Sequence, residues 1–241
     1  MEVNKIIQGD TLSVLKTLPS ESVNCVVTSP PYNKGFYDKH TPSKHDVWQQ
    51  RNVIYGDFKD NLPPEKYIKQ QIEVLKELTR IIKKNGSIFY NHKVVIVNHK
   101  AIFPEYVFKY NVRQIIIWNR KSSPQLAPIR FYPTTEYIFW ITKTNIQPKF
   151  KRKNLIYTKE IWDLPIRPDK NHPAPFPVEL PKNCILATTD ENDIVLDPYM
   201  GIGNTAIACK ELGRKYIGIE ISPEYCEIAK RRINSIPETL F

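Results

Sequence analysis

Hydrophobic positions along the chain follow two alternating rhythms. Short runs rich in β-branched and aromatic residues read as strands: VNCVV at 23–27, GSIFY at 86–90, RQIIIW at 113–118, EYIFWIT at 136–142, DIVLDPY at 193–199 and KYIGIE at 215–220. Longer amphipathic stretches lie between them. Ile68, Ile72, Leu75, Leu78 and Ile82 recur at helical spacing, which predicts a helix from Pro64 to about Lys84. Pro64 suits its first turn and Asn85-Gly86 its stop. NTAIACKEL reads as a further helix, and SPEYCEIAKRRI as a last one with Ser222 as N-cap and Pro223 in its first turn. Strands alternating with helices predict an α/β fold, a sheet covered by helices.

Two segments break the rhythm. Residues 34–63 are polar and aromatic with several prolines, a long connection expected to be mobile or functional. Residues 143–171 are strongly basic with interspersed aromatics. No internal repeat or low-complexity tract is present, and 241 residues suit a single domain spanning 1–241.

Charge narrows the class of partner. Lys and Arg number 35 against 25 Asp and Glu, a net charge of +10 that favours a polyanion. The four cysteines, Cys25, Cys184, Cys209 and Cys226, are widely spaced and mostly flanked by aliphatic residues, so buried reduced thiols are expected rather than a zinc site. His40 and His45 have no metal-like partners in sequence. No run is apolar enough for a membrane span and the start has no signal core, which predicts a soluble cytoplasmic protein with no membrane partner.

LDPYMGIGNTAIACKELGRKYIGIE carries the first chemical signal. A strand delivers Asp197, a loop carries Gly201 and Gly203, a helix follows, and the next strand ends in Glu220. Glycines let a backbone approach a ligand at a helix N-terminus, and an acid at the next strand tip can accept from ribose hydroxyls. That order points to a nucleotide-like ligand without separating a nicotinamide cofactor from S-adenosylmethionine. Only GIG is present, however, not the full GxGxxG that cradles a diphosphate. The lack of a phosphate in S-adenosylmethionine fits that shortened loop. Read blandly, Asp197 is a strand-end turn acid and Glu220 a surface acid.

TSPPYN at 28–33 carries the second signal. Consecutive prolines fix the backbone and remove two N–H groups while keeping their carbonyls. An exocyclic amino group about to be methylated donates two hydrogens, and two acceptors would orient its lone pair. The Ser29 hydroxyl and the Pro30 carbonyl are suited to accept, with Pro31 holding the loop and Tyr32 offering a ring for a flipped base. Alignment does most of the work in such a transfer, and no strong base is required. The bland reading is a Pro-Pro turn closing a strand.

TSPPYN ahead of LDPYMGIGNT resembles the DNA amino-methyltransferases of restriction–modification systems, in the permuted arrangement called the beta class. The resemblance covers almost the whole chain. It implies a three-layer, Rossmann-like, circularly permuted methyltransferase fold with a mostly parallel sheet, and S-adenosylmethionine as cofactor. IIQGD at 6–10 looks like the motif that sets Asp10 by the cofactor adenine; HPAPFPVELPKNCI at 172–185 looks like the one that brings His172 and Phe176 to its methionine end. NGSIFYN, IIIWNRK and RFYPTTEYIFWITK look like the middle and last strands. Thr11, Gly201, Gly203, Thr205 and Ile221 join the cofactor set, with Asn204 where the family commonly has threonine.

The resemblance implies double-stranded DNA as substrate, a cognate restriction endonuclease and a homodimer as partners, and base flipping. A serine before PPY usually goes with N4-methylcytosine there, with the adenine N6 amino group as the alternative. Lys34, Lys121, Arg130, Lys149 and Arg152 are the candidate DNA contacts, with Arg120, Arg167 and Lys170 also able to meet phosphates. Lys121, just past a strand, is expected nearest the cleft. The basic 143–171 segment, about thirty residues, is short for a target-recognition region, a role it would share with 34–63. An RNA or protein-glutamine methyltransferase would usually carry its glycine loop before the catalytic loop. A non-catalytic specificity subunit would show a broken motif, and a nicotinamide oxidoreductase a fuller glycine pattern.

Overall fold

In the computed structural model, the described residues are 1–33, 60–97, 100–122, 131–166 and 175–237. Strand β1 (Lys5–Gln8) leads through helix α1 (Thr11–Thr17) to β2 (Val23–Thr28). Helix α2 (Pro64–Ile81) runs directly into β3 (Ile82–His92), followed by a small hairpin of β4 (Val95–Val97) and β5 (Lys100–Ile102). Then come β6 (Val112–Asn119), β7 (Thr135–Thr142), β8 (Ile161–Asp163), α3 (Glu179–Thr188), β9 (Ile194–Asp197), α4 (Asn204–Glu211), β10 (Lys215–Glu220) and α5 (Pro223–Asn234).

Eight strands form one sheet in the order β1-β10-β9-β2-β3-β7-β6-β8. Only β7 runs against its neighbours, so the sheet is mostly parallel. Helices cover both faces. On one, Leu15 of α1 and Val74, Leu75 and Leu78 of α2 pack on Val26, Ile88, Phe139 and Ile219. On the other, Leu180 and Cys184 of α3 and Ala208 and Cys209 of α4 pack on Cys25, Val27, Phe89 and Val195. The alternation of side chains along β2 delivers one set of residues to each layer. All four cysteines are free and buried, as the sequence implied. No helix among the described residues is long and apolar enough to cross a membrane.

One boundary departs from the pattern. The α2 helix ends at Ile81, not near Lys84, because Ile82 already pairs with Val23 in the sheet. Residues 83–86 lie in a register shift of β3, since Cys25, two residues on, pairs with Ser87. Asn85-Gly86 therefore marks an irregularity in a strand rather than a helix stop. A Cβ on Gly86 would stand 2.9 Å from the Asn24 carbonyl, which explains the glycine. Ile68, counted with the apolar face, is 38% exposed; the buried face is Tyr67, Gln71, Val74, Leu75, Leu78 and Ile81.

Strand order fixes where chemistry can occur. From β9 the chain proceeds to β10 on one side, and from β2 to β3 on the other. The loops after these two adjacent strands diverge and leave a crevice between them, the switch point at which open parallel sheets hold ligands. Both chemical motifs of the sequence stand at this crevice.

Candidate active site

A buried hydrogen bond ties the two motifs together: Thr28 at the tip of β2 donates to Asp197 Oδ1 at the tip of β9, over 3.0 Å. Asp197 also accepts from the Tyr199 amide at 3.2 Å and from the Thr205 hydroxyl at 2.6 Å. It is buried and committed to protein donors, and burial lifts its carboxyl to about 6. The expectation that Asp197 itself touches a ligand is corrected on this point. Its geometry is that of a brace joining β2, the glycine loop and α4.

Glu220 occupies the tip of β10 differently. Its Oε2 accepts from the Gly201 amide at 2.9 Å and its Oε1 from the Ser222 amide at 2.9 Å, which leaves further acceptor capacity on both oxygens. Burial raises its pKa, opposed by those backbone bonds. Gly203 is left-handed at φ 89, and a Cβ there would meet Ala229 at 3.1 Å, so this glycine serves the packing of α4 on α5. Asn204 donates to the Phe176 carbonyl at 2.6 Å and accepts from Arg232 at 2.8 Å. It thus ties the 175–177 segment to α5. Thr11 donates to the Pro198 carbonyl at 2.7 Å, while Asp10 caps α1 by accepting from the Ser13 amide at 2.9 Å. Ile221 follows Glu220 into the same corner, half-buried. His172 lies outside the described residues.

The loop after β2 is held from several directions. Asn33 turns left-handed at φ 56, gives its amide to Asp60 at 2.7 Å and its side chain to the Leu62 carbonyl at 2.7 Å. Tyr67 of α2 reaches the Pro31 carbonyl at 2.9 Å. Among the described residues no donor meets the Pro30 carbonyl. Beneath the loop, the Ser29 hydroxyl lies 2.6 Å from the Tyr32 hydroxyl, which donates to Glu136 Oε2 at 3.0 Å. Asn91 donates to Tyr32 at 2.8 Å and to Glu136 at 2.7 Å. Arg120 pairs with the other Glu136 oxygen at 3.1 Å, nearly out of solvent.

Asn91, Glu136, Tyr67 and His92 were not singled out in the sequence. Polar residues closing the apolar run of β3 were a usable signal for Asn91 and His92. Glu136 gave none, because it begins its strand and reaches this edge only through the antiparallel direction of β7. The His92 ring lies 4.8 Å from that of Tyr32. Its Nδ1 is 2.8 Å from the Lys93 carbonyl, which can only accept, so Nδ1 carries the proton. Tyr67 then has one proton for two acceptors, Pro31 O at 2.9 Å and His92 Nε2 at 3.0 Å.

Burial pulls His92 down to about 4 from an ordinary 6.5. As pH falls through that window the unfolded chain takes up the proton first, so native stability should drop by roughly 3 kcal/mol between the two values. Thermal melts at pH 7 and pH 4.5 should show a smaller acid loss in His92→Gln than in the parent. An identical loss in both would remove His92 as the source.

The DNA candidates divide by position. Lys121 stands past the end of β6 at the same edge as Ser29, as expected, and is salt-bridged to the exposed Asp163 at 2.8 Å. Arg120 is not available to phosphates, because its guanidinium is committed to Glu136 and the Pro133 carbonyl. Lys149 is corrected too. Its amide bonds to Asn85, before the regular part of β3, and its ammonium pairs with Asp190 and Asp193 ahead of β9. It therefore sits at the far end of the sheet. Arg152 lies nearby on a 3-10 turn, lining a groove with Arg113, Trp140 and Phe150. The basic segment begins at that opposite end and climbs through β8, parallel to β6, toward the crevice. Lys34, Arg130, Arg167, Lys170, His40 and His45 lie outside the described residues.

The family model N6_N4_Mtase, a DNA methylase, matches residues 23–231. The chain belongs to this DNA methylase family. The methylase is 28% identical to the type II methyltransferase M.BglII of Bacillus subtilis, over 98% of this chain and 70% of that one. It is also 28% identical to the DNA adenine methyltransferase YhdJ of Escherichia coli, over 97% and 83%. Its fold matches the PvuII cytosine-N4-specific DNA methyltransferase with TM-score 0.75 at 21% identity, covering 99% of this chain and 89% of that. A DNA modification methylase of Thermus thermophilus, complexed with S-adenosyl-L-methionine, matches with TM-score 0.69 at 25% identity, over 95% and 92%. The methylase thus has the permuted α/β methyltransferase fold that its motif order implied.

Proposed function

We propose that this methylase transfers a methyl group from S-adenosylmethionine to cytosine N4 of a flipped base in double-stranded DNA, at a specific sequence. The observation that carries the base choice is Ser29 at the first position of the loop: a neutral hydroxyl beside an uncommitted Pro30 carbonyl. Together they form two acceptors for two amino hydrogens. Pro31 and Tyr32 complete the site, the first anchored by Tyr67 and the second offering its ring to the base.

The cofactor fits the residues at hand. Two buried acids, Asp197 and Glu220, frame the glycine loop, and negative charge there favours a cationic sulfonium with an α-amino group over a diphosphate. Glu220 would accept from ribose hydroxyls, Asp10, Thr11 and Ile221 would line the adenine side, and His172, Phe176, Gly201, Gly203, Asn204 and Thr205 the remainder. When bound, S-adenosylmethionine supplies an electrophilic methyl group on sulfur. The chain's own part is to orient the amino nitrogen and take its proton. Lys34, Lys121 and Arg130 are proposed to meet phosphates. A single domain, a cognate endonuclease and a homodimer belong to the same proposal.

The adenine N6 reading draws support from the likeness to an adenine methyltransferase. Incubating plasmid DNA with the purified methylase and cofactor, then analysing nucleosides by mass spectrometry, decides between them. N4-methylcytosine is expected. N6-methyladenine would replace the base assignment, and an unmodified plasmid would remove the DNA reading.

A further inference from the structure

The hydrogen bonds beneath the Ser29 loop have a direction. Tyr32 has one phenolic proton, and it goes to Glu136 Oε2 at 3.0 Å. The 2.6 Å contact between Ser29 and Tyr32 must then be a donation from Ser29 to Tyr32. Asn91 fixes the same polarity, since its amide N–H groups point at both Tyr32 and Glu136. Turning that amide over would press its oxygen against a carboxylate. With its only proton committed inward, Ser29 faces the crevice as an acceptor.

We infer that Glu136 is the terminal proton acceptor of a relay, Ser29 to Tyr32 to Glu136, that removes the proton released when the amino group is methylated. This rests on the reading that Ser29 receives that amino group. Once the nitrogen has gained the methyl group it carries a positive charge and one proton too many. The N–H bond breaks toward Ser29 Oγ, its electron pair returning to nitrogen. The Ser29 proton passes to Tyr32 Oη, and the Tyr32 proton to Glu136 Oε2. One proton leaves the base and one arrives at a carboxylate paired with Arg120. After the base departs, the same path run backward returns the proton to water. Glu136 and Asn91 are positioning residues, because they touch the base only through Tyr32 and Ser29.

Kinetics and tyrosine NMR test this together. Glu136→Gln should lower kcat by about a hundredfold, the low end for lost proton transfer, with KM for DNA and cofactor within about twofold. Glu136→Asp should restore part of the loss. Tyr32→Phe keeps the ring and the Glu136–Arg120 pair, and should lower kcat as Glu136→Gln does; it carries the prediction if Glu136→Gln fails to fold. In protein free of cofactor and DNA, labelled at tyrosine ¹³Cζ, the Tyr32 signal (identified by its absence in Tyr32→Phe) should move in Glu136→Gln. An unmoved signal, or kcat retained in Glu136→Gln and Tyr32→Phe while Ser29→Ala is impaired, overturns the relay and leaves the Ser29 reading intact. Retained kcat in Ser29→Ala instead removes that reading, and the relay with it.

Discussion

Ser29→Ala is expected to lower kcat by about 10²–10³-fold, as for loss of one preorganised polar contact to a reacting group, while leaving cofactor affinity unchanged. The hydroxyl sits on the β2 side of the crevice, whereas the cofactor residues approach from β9 and β10. Its removal costs about 1 kcal/mol of hydrogen bonding beneath the loop, too little to unfold the chain. Single-turnover rates with saturating DNA, beside calorimetric titration of S-adenosylmethionine, separate the two effects. Equal losses in rate and in cofactor binding would mean that Ser29 only supports the crevice.

Glu220→Ala should weaken cofactor binding by more than a hundredfold. Hydrogen bonds to a charged acceptor contribute about 1.5–3 kcal/mol each, and two ribose hydroxyls would lose theirs together. Asp197→Ala should behave differently despite its similar place in the sequence. It strands Thr28, the Tyr199 amide and Thr205, at about 1 kcal/mol each. That corresponds to a fall in Tm of roughly 6–12 °C for a chain of this size, with the binding defect following from the loosened loop. Calorimetric affinity and a melting curve for each variant decide the matter. An Asp197→Ala protein with parental Tm but no cofactor binding would reverse the assignment of brace and ligand.

The strands and the two motifs were legible because each depends on local pattern. VNCVV followed by Pro-Pro can hardly be anything but a strand that stops, and the glycine loop between Asp197 and Glu220 carries its own geometry. What stayed hidden depends on direction and register. Nothing in TTEYIFWIT says that β7 runs opposite to its neighbours, so nothing announces that Glu136 meets Tyr32. Nothing in NIQPKFKRKN says which end of the sheet it crosses, so Lys149 looked like a phosphate contact when its partners are Asp190 and Asp193. Asn85-Gly86 misled for a related reason: the same dipeptide suits a helix stop and a strand irregularity.

The position of β10 has a consequence for assembly. It lies between β1 and β9, and β1 has no other partner in the sheet. Lys5–Gln8 must therefore wait for Lys215–Glu220, more than two hundred residues later, before its backbone is paired. Closing so long a loop is entropically costly and slow. The corner that brings Asp10 near Glu220 thus forms among the last, after the β2–β3 half has a sheet to stand on. Refolding followed by hydrogen exchange would show protection arriving at β2 and β3 while β1 still exchanges.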